Sequence, residues 1–118
     1  MPSITTEDYR YFENKIYLPM LITVIERDIE IINKQPFKLR RPYLAIVEKA
    51  LSVIRKDLKQ TEVYLLRRNM RLVIGKPDAD KITECTFISG GVEERRKYSS
   101  EEFRSRSEEL ITEYFYAI

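Results

Sequence analysis

The chain has 118 residues, room for one domain built around one hydrophobic core. It holds no histidine and a single cysteine, Cys85. That excludes an internal disulfide, a zinc cluster and the commonest general base. Charged residues make up 34% of the chain, above the usual quarter, yet the formal net charge is only +2, so no global field steers it to nucleic acid or an anionic membrane.

The N-terminus, Met1-Pro2-Ser3-Ile4-Thr5-Thr6-Glu7-Asp8, lacks the basic start and apolar run of a signal peptide. The first predicted element is a helix over residues 6–34. Thr5 and Asp8 give it an N-cap and an acidic first turn. Its apolar residues form two stripes, one of Tyr9, Phe12, Ile16 and Met20, the other of Tyr11, Leu18, Ile22, Ile25, Ile29 and Ile32. Two stripes mean contact on more than one side, as for a central helix. Pro19 lies inside the pattern and predicts a kink there, since the stripes continue past it. The apolar stretch from Ile16 to Ile25 is broken by Pro19 and Thr23 and is too short to span a bilayer. A straight helix of this length reaches about 40 Å. A compact globule of this size is roughly 35 Å across. The helix therefore either bends over the core or projects towards a partner.

Two prolines, Pro36 and Pro42, bracket a short connector and set up a helical hairpin. The second helix is predicted over residues 42–69, with Pro42 as its first residue. Leu44, Val47, Leu51, Ile54, Leu58, Thr61 and Leu65 alternate at spacings of three and four, an a/d seam. Tyr43, Ile46, Ala50, Val53 and Tyr64 line a neighbouring flank. The short connector makes the first helix a neighbour, which favours packing within one chain over an intermolecular coiled coil.

Helical spacing stops after Asn69, and residues 70–98 read as a β region. Met70-Arg71-Leu72-Val73-Ile74 is a short apolar run, and Gly75 to Asp80 is turn material. Ile82 to Ile88 has strand composition, with Cys85 as a small hydrophobe within it. Gly90-Gly91 is a two-residue hairpin turn. Val92 to Tyr98 reads either as a third strand, with Val92, Glu94, Arg96 and Tyr98 on one face, or as a lead-in to the last helix. That helix covers residues 99–116, begins with the capping box Ser99/Glu102, and carries Phe103, Leu110, Ile111, Tyr114 and Phe115 as its apolar stripe. The fold class is α+β, mostly helical: an αα-hairpin, a small antiparallel β-hairpin or meander, and a C-terminal helix packed on the helical pair.

Charge is unevenly spread. Residues 1–36 carry a net −2, residues 37–76 a net +8, and residues 77–118 a net −4. Either the basic middle faces the acidic ends of the same chain, or it forms a surface for an acidic protein, RNA or DNA. Arg40, Arg41, Arg67, Arg68 and Arg71 are the candidate contacts for such a partner. The carboxylate pairs Glu26/Glu30, Glu93/Glu94, Glu101/Glu102 and Glu108/Glu109 sit beside Arg or Lys and read as solvated faces. The glycines, Gly75, Gly90 and Gly91, form no phosphate-cradling loop.

Ile16-Tyr17-Leu18-Pro19-Met20, the Glu26-Arg27-Asp28 step, and Pro36-Phe37-Lys38-Leu39-Arg40-Arg41-Pro42-Tyr43 resemble the YhjD-type small proteins of Bacillus and relatives. The resemblance implies a cytoplasmic location in Firmicutes or their phages and brings no catalytic residues. The succession of helix, basic hairpin and closing helix is also similar to winged-helix regulators, but one uninterrupted helix replaces their short recognition-helix turn. The expected function is a non-catalytic interaction or assembly protein that self-associates as a homo-oligomer and docks on a protein partner. The alternative is a nucleic-acid-binding regulator that uses the five arginines and the hairpin. Neither cofactor, metal nor membrane partner is expected.

Overall fold

The computed structural model describes residues 4–36 and 38–117; Met1 to Ser3, Phe37 of the connector and Ile118 lie outside them. The order of elements is α1 (Thr6–Lys34), α2 (Arg40–Arg67), β1 (Met70–Ile74), β2 (Ile82–Ser89), β3 (Val92–Ser99) and α3 (Ser100–Tyr116). This is the α+β, mostly helical arrangement that the patterning implies.

α1 starts on a reciprocal cap. The Asp8 amide donates to Thr5 Oγ1 at 3.1 Å, and the Thr5 amide donates to Asp8 Oδ2 at 3.0 Å. The helix runs on through Pro19. It ends at Lys34 because Gln35 precedes Pro36, which disfavours helical backbone; Gln35 is extended, with φ −87° and ψ 150°. α2 begins at Arg40, two residues before Pro42, so Pro42 occupies the third position of the helix. A proline fits there as well, since first-turn amides have no intrahelical acceptor. The helix stops at Arg67, and Asn69 takes the left-handed conformation (φ 54°) suited to a helix end.

The three strands form an antiparallel sheet in the order β1-β2-β3. Gly90 and Gly91 both have positive φ, 55° and 82°, as a type I′ hairpin turn requires. Residues 92–98 are strand rather than a helical lead-in. Glu94 and Arg96 are half-buried and Tyr98 is buried, while Glu93, Arg95 and Lys97 are exposed, so the face predicted for that strand is the inner one. Between β1 and β2, Asp78 Oδ1 accepts from the amides of Asp80 (2.8 Å) and Ile82 (3.0 Å), closing the turn locally. Gly75 tolerates no larger residue easily: a Cβ there would lie 2.9 Å from the Glu84 carbonyl oxygen.

α1 is central. Its Phe12, Ile16 and Tyr17 pack with Leu65, Met70, Cys85, Phe87 and Tyr98 in a cluster against the sheet. Its Leu18, Leu21 and Ile25 pack with Leu51 and Ile54 of α2 in a second. α3 closes both: Phe103 stacks on Tyr98 (centroids 5.3 Å) and meets Tyr17 edge-on (5.7 Å), while Ile111 and Tyr114 lie on the second cluster. The molecule measures 58 × 35 × 18 Å, with a radius of gyration of 16.5 Å. A compact globule of this length would give about 13–14 Å. The excess arises because the α1–α2 hairpin extends past the sheet.

Candidate functional site

The five arginines read from the sequence do not form one patch. Arg40 and Arg41 open α2, and Arg67 and Arg68 close it, so roughly 40 Å separates the pairs at the helical rise. Arg71 lies exposed on β1, near the second pair in sequence. Two of the five already have intramolecular roles. Arg40 is half-buried, and its Nη2 donates to the Gln35 carbonyl oxygen at 3.2 Å, bracing the connector. The Arg68 guanidinium sits 4.5 Å from the centroid of the Tyr64 ring. Arg41, Arg67 and Arg71 are exposed.

The charge asymmetry is not consumed within the chain. Of the basic residues between 37 and 76, only Arg55 forms an ion pair among the described residues, to Glu26 at 3.0 Å. Lys49, Lys56, Lys59 and Arg67 are exposed. They lie largely on the side of α2 turned away from Leu51, Ile54, Leu58 and Leu65, which pack inward. Sequence reasoning picked out the arginines at the ends of α2 but not this basic stripe along it. The signal was a lysine pair seven residues apart, half a turn from the seam.

The same hairpin carries an apolar feature on another side. Val24 (45% exposed) and Ile31 (48%) lie on α1, and Ile46 (48%) and Val53 (38%) on α2. Both pairs continue faces that α3 covers further along. Val24 and Ile31 follow Tyr17, which meets Phe103 of α3, at seven-residue steps. Val53 and Ile46 precede Asp57, whose Oδ2 accepts the Tyr114 hydroxyl of α3 at 2.5 Å, by one turn and three. α3 thus occupies part of a two-helix groove, and the rest of that groove stays exposed. The sequence flank of Tyr43, Ile46, Ala50, Val53 and Tyr64 splits accordingly: Ala50 is buried, Tyr64 half-buried, and the other three exposed.

The carboxylate pairs serve local structure. Glu102 caps α3, Glu26 meets Arg55, and Glu108 and Glu109 meet Arg104 and Arg106. Glu94 accepts the Tyr9 hydroxyl, whose pKa rises chiefly through that bond, while Arg96 covers the Tyr9 ring at 4.2 Å. Among the described residues no group of three or more His, Cys, Asp or Glu comes together to hold a metal ion, and no helix is long and apolar enough to cross a membrane. Cys85 is fully buried on β2, and burial pushes its thiol pKa up. It is expected to stay silent towards a chromogenic disulfide reagent in the folded protein and to react stoichiometrically in denaturant. Fast reaction in native buffer would put the thiol outside the core.

The model of a family described as YhjD protein matches residues 3–118. The chain is also similar to a protein of Bacillus subtilis (strain 168) with the name "Uncharacterized protein YhjD": 32% identical over 118 residues, covering 99% of this chain and 97% of the relative. No solved structure matches it.

Proposed function

The chain belongs to the YhjD protein family, and from that premise we propose a non-catalytic interaction and assembly protein that self-associates through the distal part of its helical hairpin. The observation that carries this reading is the uncovered stretch of groove beyond α3, edged by Val24, Ile31, Ile46 and Val53. Four β-branched side chains left in water on adjoining helix faces favour burial against another helix. A second copy supplies the same stripes, and a two-fold arrangement would use one patch twice. Charge supports that choice. Asp28 lies on α1 within one turn of both Val24 and Ile31, and Lys49 lies on α2 within one turn of both Ile46 and Val53. In a two-fold pair α1 of one copy can face α2 of the other, acid against base. No catalytic step belongs to this reading, and its setting is the cytoplasm, in keeping with a lone thiol kept reduced.

Light scattering coupled to gel filtration tests it. The wild-type chain is expected to run as a dimer in the micromolar range, and Ile46→Asp as a folded monomer with an unchanged circular dichroism spectrum. A wild-type chain that stays monomeric across that range would sink the proposal. A second reading rests on the basic stripe of α2. Lys49, Lys56, Lys59 and Arg67 could track the phosphates of a nucleic acid, in which case binding would weaken steeply as salt rises. Absence of a low-salt shift of labelled DNA and RNA would remove it.

A further inference from the structure

Where α1, α2 and α3 converge, they leave a half-open cavity of about 430 Å³. That volume falls within the range of small-molecule sites. Its walls carry both signs of charge on different helices. Arg10 of α1 makes no ion pair among the described residues, and its guanidinium rests 5.5 Å from the centroid of the Tyr11 ring. Asp57 of α2 faces no cation within ion-pair distance among the described residues; it accepts the Tyr114 hydroxyl. Arg10 and Asp57 therefore line one cavity without touching each other. The other two charges in the wall, Arg106 and Glu113 of α3, lie 3.9 Å apart, and Arg106 also holds Glu109 at 2.9 Å.

Hydrogen-bonding capacity lies between the two unpaired charges. Asn14 Nδ2 donates to Thr61 Oγ1 at 3.4 Å. Thr61 is fully buried and holds the half-buried Asn14 side chain in place, which leaves the Asn14 amide oxygen as an acceptor in the cavity wall. Leu110 adds an apolar wall. Two arginines against two carboxylates leave the lining neutral overall. A simple anion would gain Arg10 but bring its charge towards Asp57 and Glu113, and a simple cation would meet the converse. A ligand with both charges, held apart on one small frame, meets neither conflict.

We propose that this cavity binds a small zwitterion, a free amino acid or a short peptide, with its carboxylate on Arg10 and its ammonium at Asp57. Nothing in the distal patch of the hairpin contributes to the cavity, so this site and the self-association stand or fall separately.

The test is amide NMR of the full chain titrated with L-phenylalanine and glycyl-L-phenylalanine. The single-charge controls are N-acetyl-L-phenylalanine, which lacks the ammonium, and L-phenylalanine amide, which lacks the carboxylate. At least one zwitterion should give saturable shifts centred on Asn14, Thr61 and Leu110. Each control should bind roughly 10-fold more weakly or worse, as loss of one charge-assisted hydrogen bond implies. Arg10→Gln should abolish the penalty for losing the carboxylate but not that for losing the ammonium. Asp57→Asn should do the reverse, and its side-chain carbonyl can still accept the Tyr114 hydroxyl. Absence of saturable shifts with both zwitterions at millimolar concentration overturns the proposal. So does equal affinity for the zwitterions and the controls, or shifts centred away from these residues.

Discussion

Phe87→Ala is expected to lower the free energy of unfolding by about 3–5 kcal/mol, the usual range for emptying a phenylalanine site in a core. The reason is position as much as size. Phe87 is fully buried on β2, and its ring stacks on that of Phe12 with centroids 4.6 Å apart and planes 5° from parallel. Tyr9 adds a tilted contact at 5.9 Å, and the Arg96 guanidinium lies 5.7 Å from the centroid of the Phe87 ring. This stack joins α1 to the central strand of the sheet, so its loss weakens the interface between helices and sheet and not only one side chain. Against a typical total of about 5–15 kcal/mol for a domain, the substitution removes at least a fifth of the stability. Urea unfolding followed by circular dichroism gives the value directly. Phe12→Ala should cost a similar amount. The double variant should cost less than the sum, because the ring–ring term, about 0.5–1.5 kcal/mol, is lost once and not twice. A loss below about 1 kcal/mol for Phe87→Ala, against the expected range for such a site, would mean that the sheet is not anchored through this stack.

Most of this architecture was legible in the sequence because each element carries its own punctuation. Thr5/Asp8 and Ser99/Glu102 form the capping boxes their spacing implies. Gly90-Gly91 makes the hairpin turn, and the α2 seam from Val47 to Leu65 is buried or half-buried throughout. The double stripe on α1 correctly marked a central helix, but it omitted Tyr17 and Leu21, both buried. Tyr17 faces α3, and a third contacting element is invisible to a reading that allots two sides. The start of α2 was placed two residues late because Pro42 looked like a first-position proline, whereas the first turn accepts one at its third position as well. The candidate site was less legible. Charge counts and the predicted span of the second helix put Arg40 and Arg41 at one end and Arg67 and Arg68 at the other, yet only three-dimensional placement shows that Arg40 braces the connector and Arg68 lies on the Tyr64 ring. The cavity gave no linear signal at all, since Arg10, Asp57 and Arg106 lie far apart in the chain. Asp8 shows the same limit: its role as a cap follows from spacing, but its second role depends on a residue 56 positions away.

That second role leads to the other large effect. Asp8 is 5% exposed, caps Thr5, and through Oδ1 accepts the Tyr64 hydroxyl at 2.8 Å. Burial alone would raise its pKa. The Thr5 amide, the Tyr64 hydroxyl, the Thr5 hydroxyl and the charge of Arg68 together outweigh that and hold it below the ordinary 3.8. The same contact, after burial, helps push Tyr64 up to about 12. Asp8→Ala removes the carboxylate half of the capping box, leaving the residue 8 amide on Thr5 Oγ1, and strands the Tyr64 hydroxyl, which should together cost about 2–3 kcal/mol. Because the folded carboxyl binds its proton less readily than the unfolded one, its contribution is fully present above the unfolded value of 3.8. It is lost as pH falls through the lower folded value. Urea midpoints should therefore drop for the wild-type chain below about pH 4, beyond the decline seen in an Asp8→Asn variant. The asparagine side chain of that variant offers one carbonyl oxygen in place of two carboxylate oxygens, so it accepts from Thr5 or from Tyr64 and not from both, but it has no proton to take up in that range. The difference between the two curves isolates this one carboxylate from the other acidic groups, and parallel curves would mean that its charge contributes nothing to holding α1 against α2.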